Sequence, residues 1–262
     1  MSTATGAVEQ VRRPASMLTR LASGSANAPA TIALPPGGGN ATNFAKLARV
    51  WRGTGPLYAV SPPGRLQLFG EAPIVEAGTF VARLIPELDP VEGQIVLFGH
   101  SCGAYLAFAL AAELAQRDDH RVVSIIVAGA APPSPGVLDP LLSMSDAEMF
   151  DFSVGTLENG LDTLPDMVAS AELRACVSQL LRADLMLARS SIDPDRRVAV
   201  PIVALAGRAD QSVSAEEMDG WGRFTTETFS RHTVAGSHFF PCHAEPDFVA
   251  CLTDAVSQAV PG

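Results

Sequence analysis

Lysine is nearly absent from this chain: Lys46 is the only one, so arginine supplies the other 17 of its 18 basic side chains. These stand against 28 acidic residues, and the formal charge of -10 argues against nucleic acid or an anionic membrane surface as a partner. Cysteine is also sparse. Cys102, Cys176, Cys242 and Cys251 are widely spaced and show no metal-ligand pattern, so neither a metal nor any other cofactor is expected. A core of this size does not need disulfides, which points to reduced thiols and a cytoplasmic setting. No uninterrupted run of about 18 apolar residues exists, so no membrane-spanning helix is expected. A continuous apolar stretch is missing from the N-terminus too, where Pro14, Ser16, Thr19 and Arg20 interrupt the segment between Arg12-Arg13 and Ala26-Asn27-Ala28. A cleaved export signal is therefore not expected, and residues 1–29 are read as a loosely ordered tail.

What is present suits one large domain over residues 30–262: the chain is 47% hydrophobic and 18% charged, and no internal repeat is visible. Short apolar, β-favouring runs occur at 31–34, 57–61, 94–98, 121–127, 200–205 and 230–234. Helical patterns at 43–51, 75–88, 104–116, 215–224 and 246–259 alternate with them. This order predicts an α/β fold with a mostly parallel sheet and helices on both faces. Residues 138–192 carry no strand signal. Ser145-Asp146-Ala147-Glu148 is a capping box that opens one helix, and Ser170 opens a second. Such an insertion after a strand is read as a helical lid over the active-site edge, with Met149 and Met186 as candidate acyl-binding residues.

The chemistry starts at Gly99-His100-Ser101-Cys102-Gly103, which follows an apolar strand and precedes a breaker-free helical run. Strand, Gly-x-Ser-x-Gly and helix together are the layout of a nucleophile elbow, with Ser101 as the nucleophile. Such a serine needs a base and a carboxylate that orients the base, in the chain order Ser, Asp, His on loops after late strands. Asp210 follows the run 200–205 and His238 follows the run 230–234. His100 lies inside the elbow, His120 precedes a strand and His232 lies within one, which leaves His243 as the competitor to His238. Asp193 and Asp195 precede their strand instead of following it. For the oxyanion, the Cys102 N–H is one expected donor, and Gly37 of Pro35-Pro36-Gly37-Gly38-Gly39 is the other. That loop lacks the Lys-Ser/Thr ending of a phosphate-binding P-loop. Phe239, beside His238, is a further candidate for substrate contact.

These segments together resemble the type II thioesterases, stand-alone α/β-hydrolases that serve polyketide synthases and non-ribosomal peptide synthetases. Residues 34–41 resemble the family's Pro-His-Ala-Gly-Gly loop, Pro63-Gly64-Arg65 its Pro-Gly-Arg stretch, and residues 99–103 its Gly-His-Ser-Met-Gly. Leu181-Arg182-Ala183-Asp184 is similar to a Leu-Arg-Ala-Asp stretch of the lid, and residues 236–240 to Gly-Asp-His-Phe-Phe. Pro36, Gly37, Cys102 and Ser237 depart from those patterns without removing a catalytic group. The resemblance implies hydrolysis of acyl thioesters on the phosphopantetheine of acyl or peptidyl carrier proteins by a monomeric enzyme. The triad chemistry alone would equally serve a carboxylesterase or acyltransferase, and a non-catalytic carrier-binding subunit could keep the same fold. Because carrier proteins are usually acidic, an arginine-bearing docking patch is expected at the site mouth, with Arg65 and Arg182 as its candidates.

Overall fold

The computed structural model describes residues 15–53, 55–156 and 170–259. Its sheet has seven strands: β1 (Leu18–Ala22), β2 (Ala30–Leu34), β3 (Leu57–Val60), β4 (Ile95–His100), β5 (Val122–Ala128), β6 (Ile202–Gly207) and β7 (Phe229–Val234). They lie in the order β1-β3-β2-β4-β5-β6-β7; β1 is antiparallel to β3 and every other pairing is parallel. β2 and β4 are buried at every position, as continuous apolar strands of a parallel sheet covered on both faces must be. The helices are α1 (Ala45–Val50), α2 (Ala77–Leu84), α3 (Cys102–Gln116), α4 (Asp139–Leu142), α5 (Asp146–Thr156), α6 (Ala171–Ser190), α7 (Ala215–Met218), α8 (Phe240–His243) and α9 (Pro246–Gln258).

Two apolar clusters mark the two faces. Phe80, Val81 and Leu84 of α2 and Leu106, Phe108 and Leu110 of α3 pack with the outward side chains of one face. On the other, Leu47 of α1, Phe240 of α8 and Phe248, Leu252 and Val256 of α9 pack with Val96, Phe98, Ile126 and Leu205. Helix α3 is apolar nearly all round because it runs beneath the insertion as well as on the sheet.

The N-terminal segment corrects the sequence reading. Residues 15–29 are not a loose tail: β1 runs along β3, and Met17 is fully buried. The Met17 N–H donates to Glu87 at 3.0 Å, and its carbonyl accepts from the Ser61 N–H at 2.7 Å. β1 sits at the sheet edge, so its side chains are only half-buried and lack the continuous apolar signature of the inner strands.

Between β5 and β6 the described residues contain no element of the sheet; α4, α5 and α6 occupy this stretch. The Glu148 carboxylate accepts from the Ser145 N–H at 2.8 Å, and the Ser170 hydroxyl accepts from the Leu173 N–H at 3.3 Å. Both helix starts therefore carry the caps that the sequence predicted. Residues 157–169 of the insertion lie outside the described residues.

Candidate active site

Ser101 sits between β4 and α3 with φ 53° and ψ -120°, a strained conformation for a residue with a side chain. The glycines around it make the turn possible. A Cβ on Gly99 would stand 2.3 Å from the Gly103 carbonyl oxygen, and a Cβ on Gly103 would stand 2.3 Å from that of Leu34. Both obstacles are backbone, so α3 can approach β4 and β2 this closely only with hydrogen at the two positions.

Asp210 follows β6 and His238 follows β7, and a 2.9 Å hydrogen bond joins Asp210 Oδ2 to His238 Nδ1. The Asp210 side chain is fully buried, and that of His238 is 12% exposed. Burial alone would push the Asp210 carboxyl up; the His238 ring and the N–H groups of Ser212 and Val213 outweigh it and hold the carboxyl below its ordinary range. Asp210 pairs with His238 and not with His243, which ends α8, while Asp193 pairs with Arg196. Ser101 and His238 line one cavity of about 800 Å³.

His100, inside the elbow, supports the His238 backbone. Its fully buried ring donates from Nε2 to the His238 carbonyl at 2.8 Å, since a carbonyl can only accept, which leaves Nδ1 to face the Cys242 thiol at 3.7 Å. Burial and the neighbouring His238 push its pKa down to about 3, so the ring is neutral at any working pH. Nothing local in the sequence signals this contact, which spans 138 residues.

The loop 35–40 follows β2 and also lines the cavity. The Gly37 backbone lies against Cys102, since a Cβ at Gly37 would stand 3.1 Å from the Cys102 sulfur, and the neighbouring backbone amides act to favour the thiolate. Burial and the Asp184 charge act more strongly and push that thiol up to about 12, which makes it an inert neighbour.

The rest of the cavity is largely apolar. Leu138, Leu141 and Phe152 come from the first part of the insertion, and Val177, Leu181 and Leu185 come from α6. The insertion is thus one wall of the site. Phe239 lines the cavity, but Met149 and Met186 do not. Met149 is fully buried in the core, and Met186 is 45% exposed on the outer side of α6. Helical spacing alone could not tell which face of each lid helix looks inward.

The two docking arginines also need correction. Arg65 is 5% exposed and makes a two-pronged ion pair with Asp184, at 2.7 and 2.8 Å. Arg182 donates to the carbonyls of Leu142 and Met144 and to Asp146, tying the lid helices together. Neither side chain is free for a partner. Among the described residues no group of three or more His, Cys, Asp or Glu side chains could hold a metal ion, and no helix is long and apolar enough to cross a membrane.

A family model described as a thioesterase domain matches residues 30–254. Thioesterase TesA of Mycobacterium marinum is 27% identical over 226 residues, covering 85% of this chain and 89% of that protein. The solved structure of YbtT, a type II thioesterase from the yersiniabactin pathway, superposes with a TM-score of 0.80 at 23% identity, over 94% of this chain and all of that one. BorB, a type II thioesterase from the borrelidin cluster, gives a TM-score of 0.75 at 25% identity, over 92% of this chain and 97% of that one.

Proposed function

This chain belongs to the thioesterase domain family, and from that premise we propose that it hydrolyses acyl groups from the phosphopantetheine thiol of carrier proteins in polyketide or non-ribosomal peptide biosynthesis. The observation that carries the reading is the buried Asp210–His238 pair opening into the same apolar cavity as the strained Ser101.

In this reading the Ser101 hydroxyl attacks the thioester carbonyl while His238 Nε2 takes its proton. Asp210 holds the Nδ1–H and favours the imidazolium that forms. The carbonyl oxygen becomes an oxyanion that accepts from the Gly37 and Cys102 N–H groups; one such donor is worth about 3–4 kcal/mol. Collapse breaks the C–S bond. The leaving thiol, with a pKa of about 8.5, departs with little assistance and takes the proton from His238. Water, deprotonated by His238, then attacks the acyl-serine and releases the free acid with Ser101 restored. The reaction so written draws on no cofactor. An apolar-walled cavity of about 800 Å³ suits acyl chains, and the insertion that walls it limits water around the reacting bond.

The test compares wild type with Ser101→Ala on acyl groups loaded onto a carrier protein, beside matched simple esters, with intact-mass detection of the acyl-enzyme. Loss of turnover by about three decades or more and disappearance of the adduct are expected. Retained hydrolysis in the variant, or a strong preference of wild type for the ester, would overturn the reading.

A further inference from the structure

The loop that carries Gly37 is held by a side chain from the lid. Asp184, on α6, accepts at Oδ2 from the Gly38 N–H at 2.7 Å and from Arg65 Nη1 at 2.7 Å, while its Oδ1 accepts from Arg65 Nη2 at 2.8 Å. Arg65 Nη1 also donates to the Gly39 carbonyl at 2.8 Å. The side chains are 6% and 7% exposed. One ion pair therefore grips the backbone on both sides of the bond between Gly38 and Gly39. Leu181, one turn earlier on α6, sits over the preceding residue: its Cδ1 lies 2.7 Å from where a Gly37 Cβ would be. The same helix face contacts two consecutive glycines of the loop, and the Arg65 it holds contacts the third.

Two observations separate this grip from ordinary stabilisation. A buried ion pair contributes little net stability compared with apolar side chains of the same volume, so stability is a weak reason for it. The backbone beside it is strained as well: Leu66, next to Arg65 and 45% exposed, stands at φ 49°, in the left-handed region that is costly for a residue with a side chain. Three glycines in a row have little rigidity. An oxyanion donor, in contrast, works only when it is fixed in advance of the reaction.

We propose that Arg65 and Asp184 are positioning residues for the oxyanion loop and that through them the lid helix α6 controls transition-state stabilisation as well as access to the cavity. Displacement of α6 moves the acceptor of the Gly38 N–H and takes the Gly37 amide out of register with that of Cys102. This rests on the assignment of Gly37 as a donor made above.

Two double variants isolate the effect. Arg65→Met with Asp184→Asn and Arg65→Met with Asp184→Leu both remove the buried charges and have similar volume, but only the asparagine keeps an acceptor for the Gly38 N–H. Each is measured for kcat and KM on an acyl thioester, and for affinity toward an acyl trifluoromethyl ketone, whose adduct with Ser101 carries an oxyanion. The leucine double is expected to fall at least about tenfold below the asparagine double in both kcat and ketone affinity, and by no more than the 10²–10³-fold that losing a whole donor costs, with KM little changed. A purely structural role predicts equal kinetics for the two, and that result overturns the proposal. If neither double folds, hydrogen exchange on the wild type decides: the ketone should slow exchange in residues 35–40 and 178–188 together, and slowing in 35–40 alone overturns it. Failure of the wild type to form the Ser101 adduct would refute the site assignment instead, so the two failures are distinguishable.

Discussion

Replacing Asp210 by asparagine changes one atom and should disable the proposed base without disturbing the fold. Asp210 Oδ1 accepts from the N–H groups of Ser212 at 2.8 Å and Val213 at 3.3 Å, which leaves Oδ2 for His238 Nδ1. In Asp210→Asn the side-chain carbonyl must stay on those two amides, so the NH2 faces His238. Nδ1 then becomes the acceptor, the ring proton moves to Nε2, and the imidazole can no longer take the proton of Ser101. Restoring the productive tautomer means turning the carboxamide over. This forfeits two hydrogen bonds of about 0.5–1.5 kcal/mol each and sets an NH2 against two N–H donors, which costs a further 1–3 kcal/mol or so. The total of roughly 2–6 kcal/mol corresponds to a fall in kcat of about 30-fold to about 10⁴-fold. Steady-state hydrolysis of an acyl thioester, followed by release of the free thiol, reads this directly; KM should hold, and the melting temperature should shift by no more than a few degrees. A variant with kcat within about fivefold of wild type would refute the orienting role of Asp210.

His100 makes the fold acid-sensitive. Free in the unfolded chain its imidazole titrates near 6.5, whereas burial in the fold pushes it to about 3, so between those values the unfolded chain binds a proton that the native one does not. Its contribution is therefore fully present above pH 6.5 and declines below, by up to about 1.4 kcal/mol per pH unit. His100→Gln should flatten the dependence of melting temperature on pH between 6.5 and 5, and parallel curves for the two proteins would reject the account. The cysteines should separate by burial. At pH 8 iodoacetamide should modify the exposed Cys176 first, while Cys102 and Cys242, both pushed up to about 12 by burial, stay unmodified until the protein unfolds. Comparable peptide-level labelling of Cys102 and Cys176 in the native protein would contradict this.

The inner strands were legible because each is a continuous apolar run between turn residues, as a strand covered on both faces has to be. Ser101 was legible from its flanks, and Asp210 and His238 from their positions after late strands. Residue type alone does not place Met149 and Met186, because the face each helix turns inward depends on its packing against α3 and the loop 35–40. Arg65 and Arg182 were read as surface charge because arginines in a turn and on an amphipathic helix are usually solvated.

By itself the sequence determined the local conformations: the elbow around Ser101, with glycines where a Cβ would strike backbone; the capped starts of the lid helices; and the order of strands that brings the loops bearing Asp210 and His238 to one sheet edge. These are written over a few neighbouring residues, where backbone sterics and the spacing of apolar side chains act directly. Only the tertiary structure decided that β1 completes the sheet, that His100 holds the base from 138 residues away, and that Arg65 meets Asp184 across 119 residues beneath the lid. Those contacts depend on which elements stack together. Burial, which turns an ordinary arginine and aspartate into a fixed grip on a glycine loop, is a property of the packed layers and of no segment alone.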